Sequence, residues 1–148
     1  MSKQTDLNIK NKKAFHEYII LDRYEAGIAL KGPEIKSVRQ HNVNFRDSHV
    51  RIQGNDVFLI NLHIARYKNS GYSQIDPSRN RRLLLNKREI RKLSIRVIER
   101  GLTIVPLRLY FKNGLLKVEI GLAKGKKIHD KRETIKKKEL VREWQRKQ

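Results

Sequence analysis

The apolar residues of this chain fall mostly at a spacing of two, as in half-buried strands, and shift to a helical spacing in two places. Residues 1–13 show neither period and read as a flexible basic arm. From His16 onward the groups are strand-like: Tyr18, Ile19 and Ile20, a polar break, then Ile28, Ala29 and Leu30, stopped by Gly32-Pro33. Residues 33–42 predict a short helix with Ile35 and Val38 on one side. Residues 43–64 predict two strands around the turn Gly54-Asn55. Val50 and Ile52 share a parity there, and Val57, Leu59 and Asn61 oppose Phe58, Ile60 and Leu62.

Residues 65–82 form a polar stretch marked by Ser70-Gly71 and Asp76-Pro77, long enough to be either functional or mobile. The clearest helix follows. Asn86 suits its N-cap, Glu89 completes a capping box, and Ile90, Leu93, Val97 and Ile98 make one apolar stripe that Gly101 ends. Residues 102–123 then predict a hairpin. Val105, Leu107, Leu109 and Phe111 face Leu116, Val118, Ile120 and Leu122 inward, around a type I′ turn at Asn113-Gly114. Short antiparallel strands with one amphipathic helix predict a mainly β fold, an OB-like barrel with a central helix over residues 14–123.

Residues 124–148 break the pattern, being basic and lacking a continuous apolar face. Across 148 residues there are 35 Lys and Arg against 15 Asp and Glu, a formal charge of +20 that calls for an anionic partner. No apolar run approaches a membrane span and no secretory signal opens the chain, which leaves nucleic acid as the anion. The tail begins with Lys124, Gly125, Lys126 and Lys127; Gly121 and Gly125 would allow a phosphate chain to approach and the lysines would neutralise it. Asp130 and Glu133 resemble a helix N-cap pair, so the tail reads as disordered alone and helical against a partner. Trp144 either packs against that partner or folds back on the barrel.

Catalytic chemistry finds little support. Cysteine is absent, which fits a cytosolic protein and removes thiolate catalysis and Cys-based zinc sites. His16, His41, His49, His63 and His129 offer no metal-binding spacing, and no other cofactor motif is present. GLAKGKK lacks one spacer residue and the Ser or Thr of a P-loop. Glu17, Asp22 and Glu25 lie close in sequence, yet three acids along a strand and turn are a common surface pattern. Aromatic residues along the strands (Tyr18, Tyr24, Phe58, Tyr67, Tyr72, Tyr110 and Phe111) are divided between core packing and stacking on unpaired bases, which favours RNA. No apolar seam predicts an obligate dimer, so a monomer is expected.

Four blocks resemble one family: NKKAFHEYII (11–20), YEAGIALKGPEIKSVR (24–39), RRLLLNKREI (81–90) with LTIVPLRLYFKNG (102–114), and KVEIGLAKGKKIHDKRETIK (117–136). The chain is similar to the SmpB family of SsrA-binding proteins, partners of transfer-messenger RNA in bacterial trans-translation. The resemblance implies a non-catalytic OB-like barrel. It would bind the tRNA-like domain of that RNA and, with elongation factor Tu, bring it to stalled ribosomes. The tail would occupy the decoding centre of the small subunit and the empty mRNA channel. The alternative is a general or ribosomal OB-fold RNA-binding protein.

Carried over by motif, the contacts to transfer-messenger RNA would be Asn11, Glu25, Leu84, Asn86 and Lys117. From the residues alone, Asn11 is a contact to a base edge or an ordinary polar arm residue, and Lys117, facing away from Leu116 and Val118, suits a phosphate contact but reads better as a solvated strand lysine. Glu25 would accept from a base amino group or a 2′-hydroxyl, or orient a neighbour such as Arg23. Asn86 caps the helix, contacts RNA, or does both, while Leu84 suits packing better than a base. The ribosomal contacts would be Lys124, Gly125, Lys126 and Lys127 along ribosomal RNA, with His129, Asp130, Lys131 and Arg132 at the decoding centre.

Overall fold

The computed structural model describes residues 7–67 and 75–125. Nine strands and three helices follow one another: β1 (Asn8–Lys10), α1 (Lys12–Glu17), β2 (Tyr18–Ile28), α2 (Gly32–Arg39), β3 (Val43–Asn44), β4 (His49–Gln53), β5 (Asp56–Ile60), β6 (His63–Ile64), β7 (Arg81–Leu84), α3 (Lys87–Arg100), β8 (Thr103–Lys112) and β9 (Leu115–Gly125). Antiparallel pairing runs β8-β4-β5-β7-β2-β9 and returns to β8, closing a barrel, with β1 added along β8 and β3 paired with β6 in a separate two-stranded sheet. The expected mainly β barrel with its helix is therefore present. Ala26, Ile28, Val57, Leu59, Leu83, Leu109, Val118 and Ile120 fill it, and Ile90 and Leu93 of α3 join the same core.

Local chemistry sets several elements as expected. The Asn86 side chain accepts from the Glu89 amide at 2.9 Å, and Gly101 ends α3 in the left-handed region. Asn113 and Gly114 both have positive φ, 52° and 75°, as a type I′ turn requires. The short helix near Ile35 and Val38 is α2, and Gly54 turns β4 into β5.

Elsewhere tertiary structure redirects the pattern. The arm is shorter than 1–13: Leu7 is buried, β1 pairs with β8, and α1 begins at Lys12. The polar break after Ile20 lies inside one long strand, which bulges at Leu21 and continues through Asp22 to Ile28. Arg81 and Arg82 belong to β7 rather than to the preceding polar stretch. Leu62 turns inward because Asn61, at φ 70°, ends β5 first. Ile98 is 79% exposed, so the buried stripe of α3 stops short of it.

The largest change concerns β8. Leu109 and Phe111 point into the barrel, but Val105 and Leu107 point outward and pack with Ala14 and Ala123 under α1. A bulge between Pro106 and Arg108 flips the parity. Proline has no N–H for the ladder, and bulges are where strands accept it. Gly121 belongs to this outer packing: a Cβ there would lie 2.9 Å from Leu107 Cδ1 and 3.0 Å from Ile20 Cγ2. It is a close-packing glycine under a side chain, not an opening for a phosphate chain.

One ionic cluster is buried. Glu34 at the start of α2 is 4% exposed and Arg81 has no exposed surface. Arg81 Nε donates to Glu34 Oε2 at 2.8 Å, Arg79 Nε donates to the same oxygen at 3.0 Å, and Arg79 Nη2 and the Lys31 amide donate to Oε1. The remaining Arg81 donors reach the carbonyls of Leu62, Arg79 and Pro77. The cluster fixes the end of the 65–80 segment against α2.

Candidate nucleic-acid interface

The outer surface of β8, β9 and β2 has two ends. At one end α1 covers it, packing Ala14 and Phe15 over Val105, Leu107 and Ala123. At the other end the same face is open. Because directly opposed residues of a sheet share a face, the register reads off a row there: Leu84 opposes Gly27, Gly27 opposes Lys117, and Lys117 opposes Tyr110. Their chain neighbours Leu83, Ala26, Ile28, Leu116, Val118, Leu109 and Phe111 are the inward residues, so the row faces out. A second row places Glu25 opposite Glu119 and Glu119 opposite Arg108.

Three sequence-predicted contacts, Glu25, Leu84 and Lys117, therefore come together from three strands, and Asn86 follows Leu84 closely in the chain. Leu84 is 57% exposed, so it is not packed in the core or at an edge as its residue type alone suggests. It stands beside Gly27, where a Cβ would approach Leu84 Cβ to 3.3 Å. Asn86 spends its Oδ1 on the helix cap, and its Nδ2 makes no hydrogen bond among the described residues. One side chain thus caps the helix and still offers two donors outward.

Asn11 lies elsewhere. It is 6% exposed, its Nδ2 donates to Pro106 O at 2.8 Å, and its Oδ1 accepts from the Ala14 amide. Those bonds hold α1 at the β8 bulge. Lys124 and Gly125 are the last residues of β9, opposite Ile19 and Tyr18. Lys126, Lys127, His129, Asp130, Lys131 and Arg132 lie outside the described residues, as do the capping pair Asp130 and Glu133, Trp144, and Tyr72.

Lys112 was not among the sequence-predicted contacts, and Tyr110 stood there only among the aromatics divided between core packing and base stacking. Tyr110 donates its hydroxyl to Glu25 Oε2, and Lys112 Nζ is 3.4 Å from both oxygens of that carboxylate. The Tyr110 hydrogen bond, helped by Lys112 and Lys117, holds Glu25 below the usual carboxylate range despite some burial. Burial and the same bond push the Tyr110 phenol upward. The Arg108 guanidinium covers the Tyr110 ring at 4.1 Å and reaches Glu119 at 3.4 Å, as does Arg23. The signal was present: Tyr110 has the parity opposite to Leu109 and Phe111. Of the aromatics divided between core and base stacking, those described (Tyr18, Tyr24, Phe58, Tyr67, Tyr110 and Phe111) are all buried or half-buried.

Glu17, Asp22 and Glu25 do not converge. Asp22 accepts from Tyr24 and Arg96, Glu25 faces Tyr110, and no group of three acids or histidines able to hold a metal occurs among the described residues. No helix among them is long and apolar enough to cross a membrane.

The family model for the SmpB protein matches residues 8–148. The chain belongs to the SmpB family. An SsrA-binding protein of Lacticaseibacillus casei is 55% identical over 144 residues, covering 97% of this chain and 92% of that protein. One from Thermosipho melanesiensis is 57% identical over 133 residues, covering 89% and 90%. A solved structure described as "tmRNA-SmpB: a journey to the center of the bacterial ribosome" superposes with a TM-score of 0.69 at 48% identity, covering 80% of this chain and 84% of that one. SmpB membership and the barrel thus agree, and the open face lies within the matched residues.

Proposed function

We propose that this chain binds the tRNA-like domain of transfer-messenger RNA and delivers it to stalled bacterial ribosomes for trans-translation. The supporting observation is the outer row Leu84–Gly27–Lys117–Tyr110 with Glu25 beside it. It sets a cation, an exposed apolar side chain and a fixed acceptor on one face, as unpaired RNA requires. Glu25, Leu84, Asn86 and Lys117 contact the RNA. Asn11 acts on that surface through the α1–β8 junction it holds. The chain acts as a non-catalytic cytoplasmic monomer, functionally associated with elongation factor Tu. Lys124 and Gly125, ending β9, lead into the basic tail, where Lys126, Lys127, His129, Asp130, Lys131 and Arg132 engage the small-subunit decoding centre and mRNA channel.

A gel shift with the tRNA-like transcript tests the face, with elongator tRNA as competitor. Leu84→Ala should weaken binding several-fold, and tRNA should compete poorly. Equal competition by tRNA would instead mean a general RNA-binding barrel. Truncation after Lys127 should leave RNA affinity nearly unchanged and abolish tagging on stalled ribosomes; surviving tagging would remove the role given to the tail.

A further inference from the structure

We propose that Glu25, held in place by Tyr110, reads an unpaired guanine through the two adjacent donors of its Watson–Crick edge. The inference rests on the RNA-binding role of the open face and names the base it selects.

An acid on an RNA surface works against phosphate, so its place there needs a positive reason. An ionised carboxylate is an acceptor only, with about four lone-pair positions on two oxygens. At Glu25 one is taken by the Tyr110 hydroxyl, and Lys112 lies at the long distance of 3.4 Å from both oxygens. The side chain is exposed enough to be reached, and Lys112, itself 57% exposed and at the long limit of hydrogen bonding, can give up its places on the two oxygens to a base. Two carboxylate oxygens side by side match two parallel donors. Guanine presents such a pair, N1–H beside N2–H₂, on one edge. Adenine and cytosine set a donor amino group beside a ring acceptor, and uracil has one donor between two acceptors. A carboxylate would meet a lone pair on each of these.

The surroundings supply the rest. Tyr110 is itself nearly buried, so its hydroxyl is a fixed rather than a rotating partner. Arg108 covers the Tyr110 ring, and Arg108 and Arg23 both turn toward Glu119, the acid directly opposite Glu25. That leaves Glu25 as the less encumbered of the two carboxylates. Lys117 and Lys112 flank it and offset the repulsion between the acid and the backbone of the base it holds. Tyr110 is a positioning residue here, since it acts through Glu25.

The test replaces unpaired guanosines of the tRNA-like transcript one at a time by inosine, which keeps N1–H and lacks the 2-amino group. Binding is measured by gel shift with the full chain. One position should weaken wild-type binding by roughly threefold, the loss of half a bidentate contact. Glu25→Gln should bind more weakly and show no further loss at that position. Tyr110→Phe should shrink the inosine penalty while its urea midpoint stays near wild type. If no inosine position weakens binding, guanine reading is wrong. If Glu25→Gln weakens binding but keeps the full inosine penalty, Glu25 belongs to the interface and another group reads the base. If Glu25→Gln and Leu84→Ala both bind as wild type, the open face itself is not the RNA site.

Discussion

Glu34 and Glu25 are both carboxylates held ionised by cations and hydrogen bonds, and they serve opposite ends. Around Glu34, Arg79, Arg81 and the Lys31 amide spend both oxygens twice over, in the interior. Around Glu25, Tyr110 holds one oxygen firmly, while the long and exposed Lys112 contacts can yield their places to a ligand. Burial pushes the Glu34 carboxyl upward, yet Arg79, Lys31 and Arg81 together outweigh it and keep it low. A closed set of partners locks structure, whereas an unfinished set on a rigid strand is a place for a ligand. Sign and pairing alone do not separate the two; the count of unspent acceptors does.

The contrast breaks most visibly at Glu34. Glu34→Ala strands Arg81 without its counter-charge in the interior, at a cost of roughly 3–5 kcal/mol. Urea unfolding should show that loss, and a variant near wild-type stability would mean that the cluster holds nothing. Glu25→Ala should instead leave the unfolding free energy measured in urea within about 1 kcal/mol of wild type, as an exposed pair does. Its RNA affinity should fall roughly tenfold, the scale of one lost bidentate contact. Large destabilisation there would make Glu25 a second structural acid.

Acid sharpens the comparison further. Both carboxyls are lowered from an ordinary value of 4.5, so each contributes stability that is present above that value and is lost as pH falls through its folded value. Wild-type stability should therefore drop on acidification from neutral pH to the region below 4.5. Glu25→Gln should follow nearly the same curve, because most of the drop belongs to buried groups. The smallest effect is expected at Lys117: Lys117→Ala should reduce the slope of log affinity against log salt by about 0.7 to 0.9, one phosphate contact. An unchanged slope would place Lys117 off the backbone path.

Much of this was legible because it is local. The cap at Asn86, the stop at Gly101 and the turn at Asn113-Gly114 depend on residues within one turn of one another. The assignment of Lys117 to the outer face followed from strand parity. Leu84 was misjudged from its residue type alone: a run of three leucines, Leu83 to Leu85, gives no sign of which one faces out, and only the pairing of β7 with β2 set Leu84 outward. Glu34 and Arg81 were missed for a related reason, since their chain neighbourhoods are unremarkable and their partners are distant in sequence.

The sequence by itself determined most of the elements and their turns, though not β1 or α1, because backbone preferences and capping bonds act over a few residues. It also determined a strongly basic surface. Tertiary structure decided which face each residue joins. The bulge at Pro106 turned Val105 and Leu107 away from the barrel and toward α1. Closure of the ring put Leu84, Gly27, Lys117 and Tyr110 in one row. A period of two says that neighbours oppose each other, but a single inserted residue reverses every side chain beyond it, and only the finished barrel fixes where that happens.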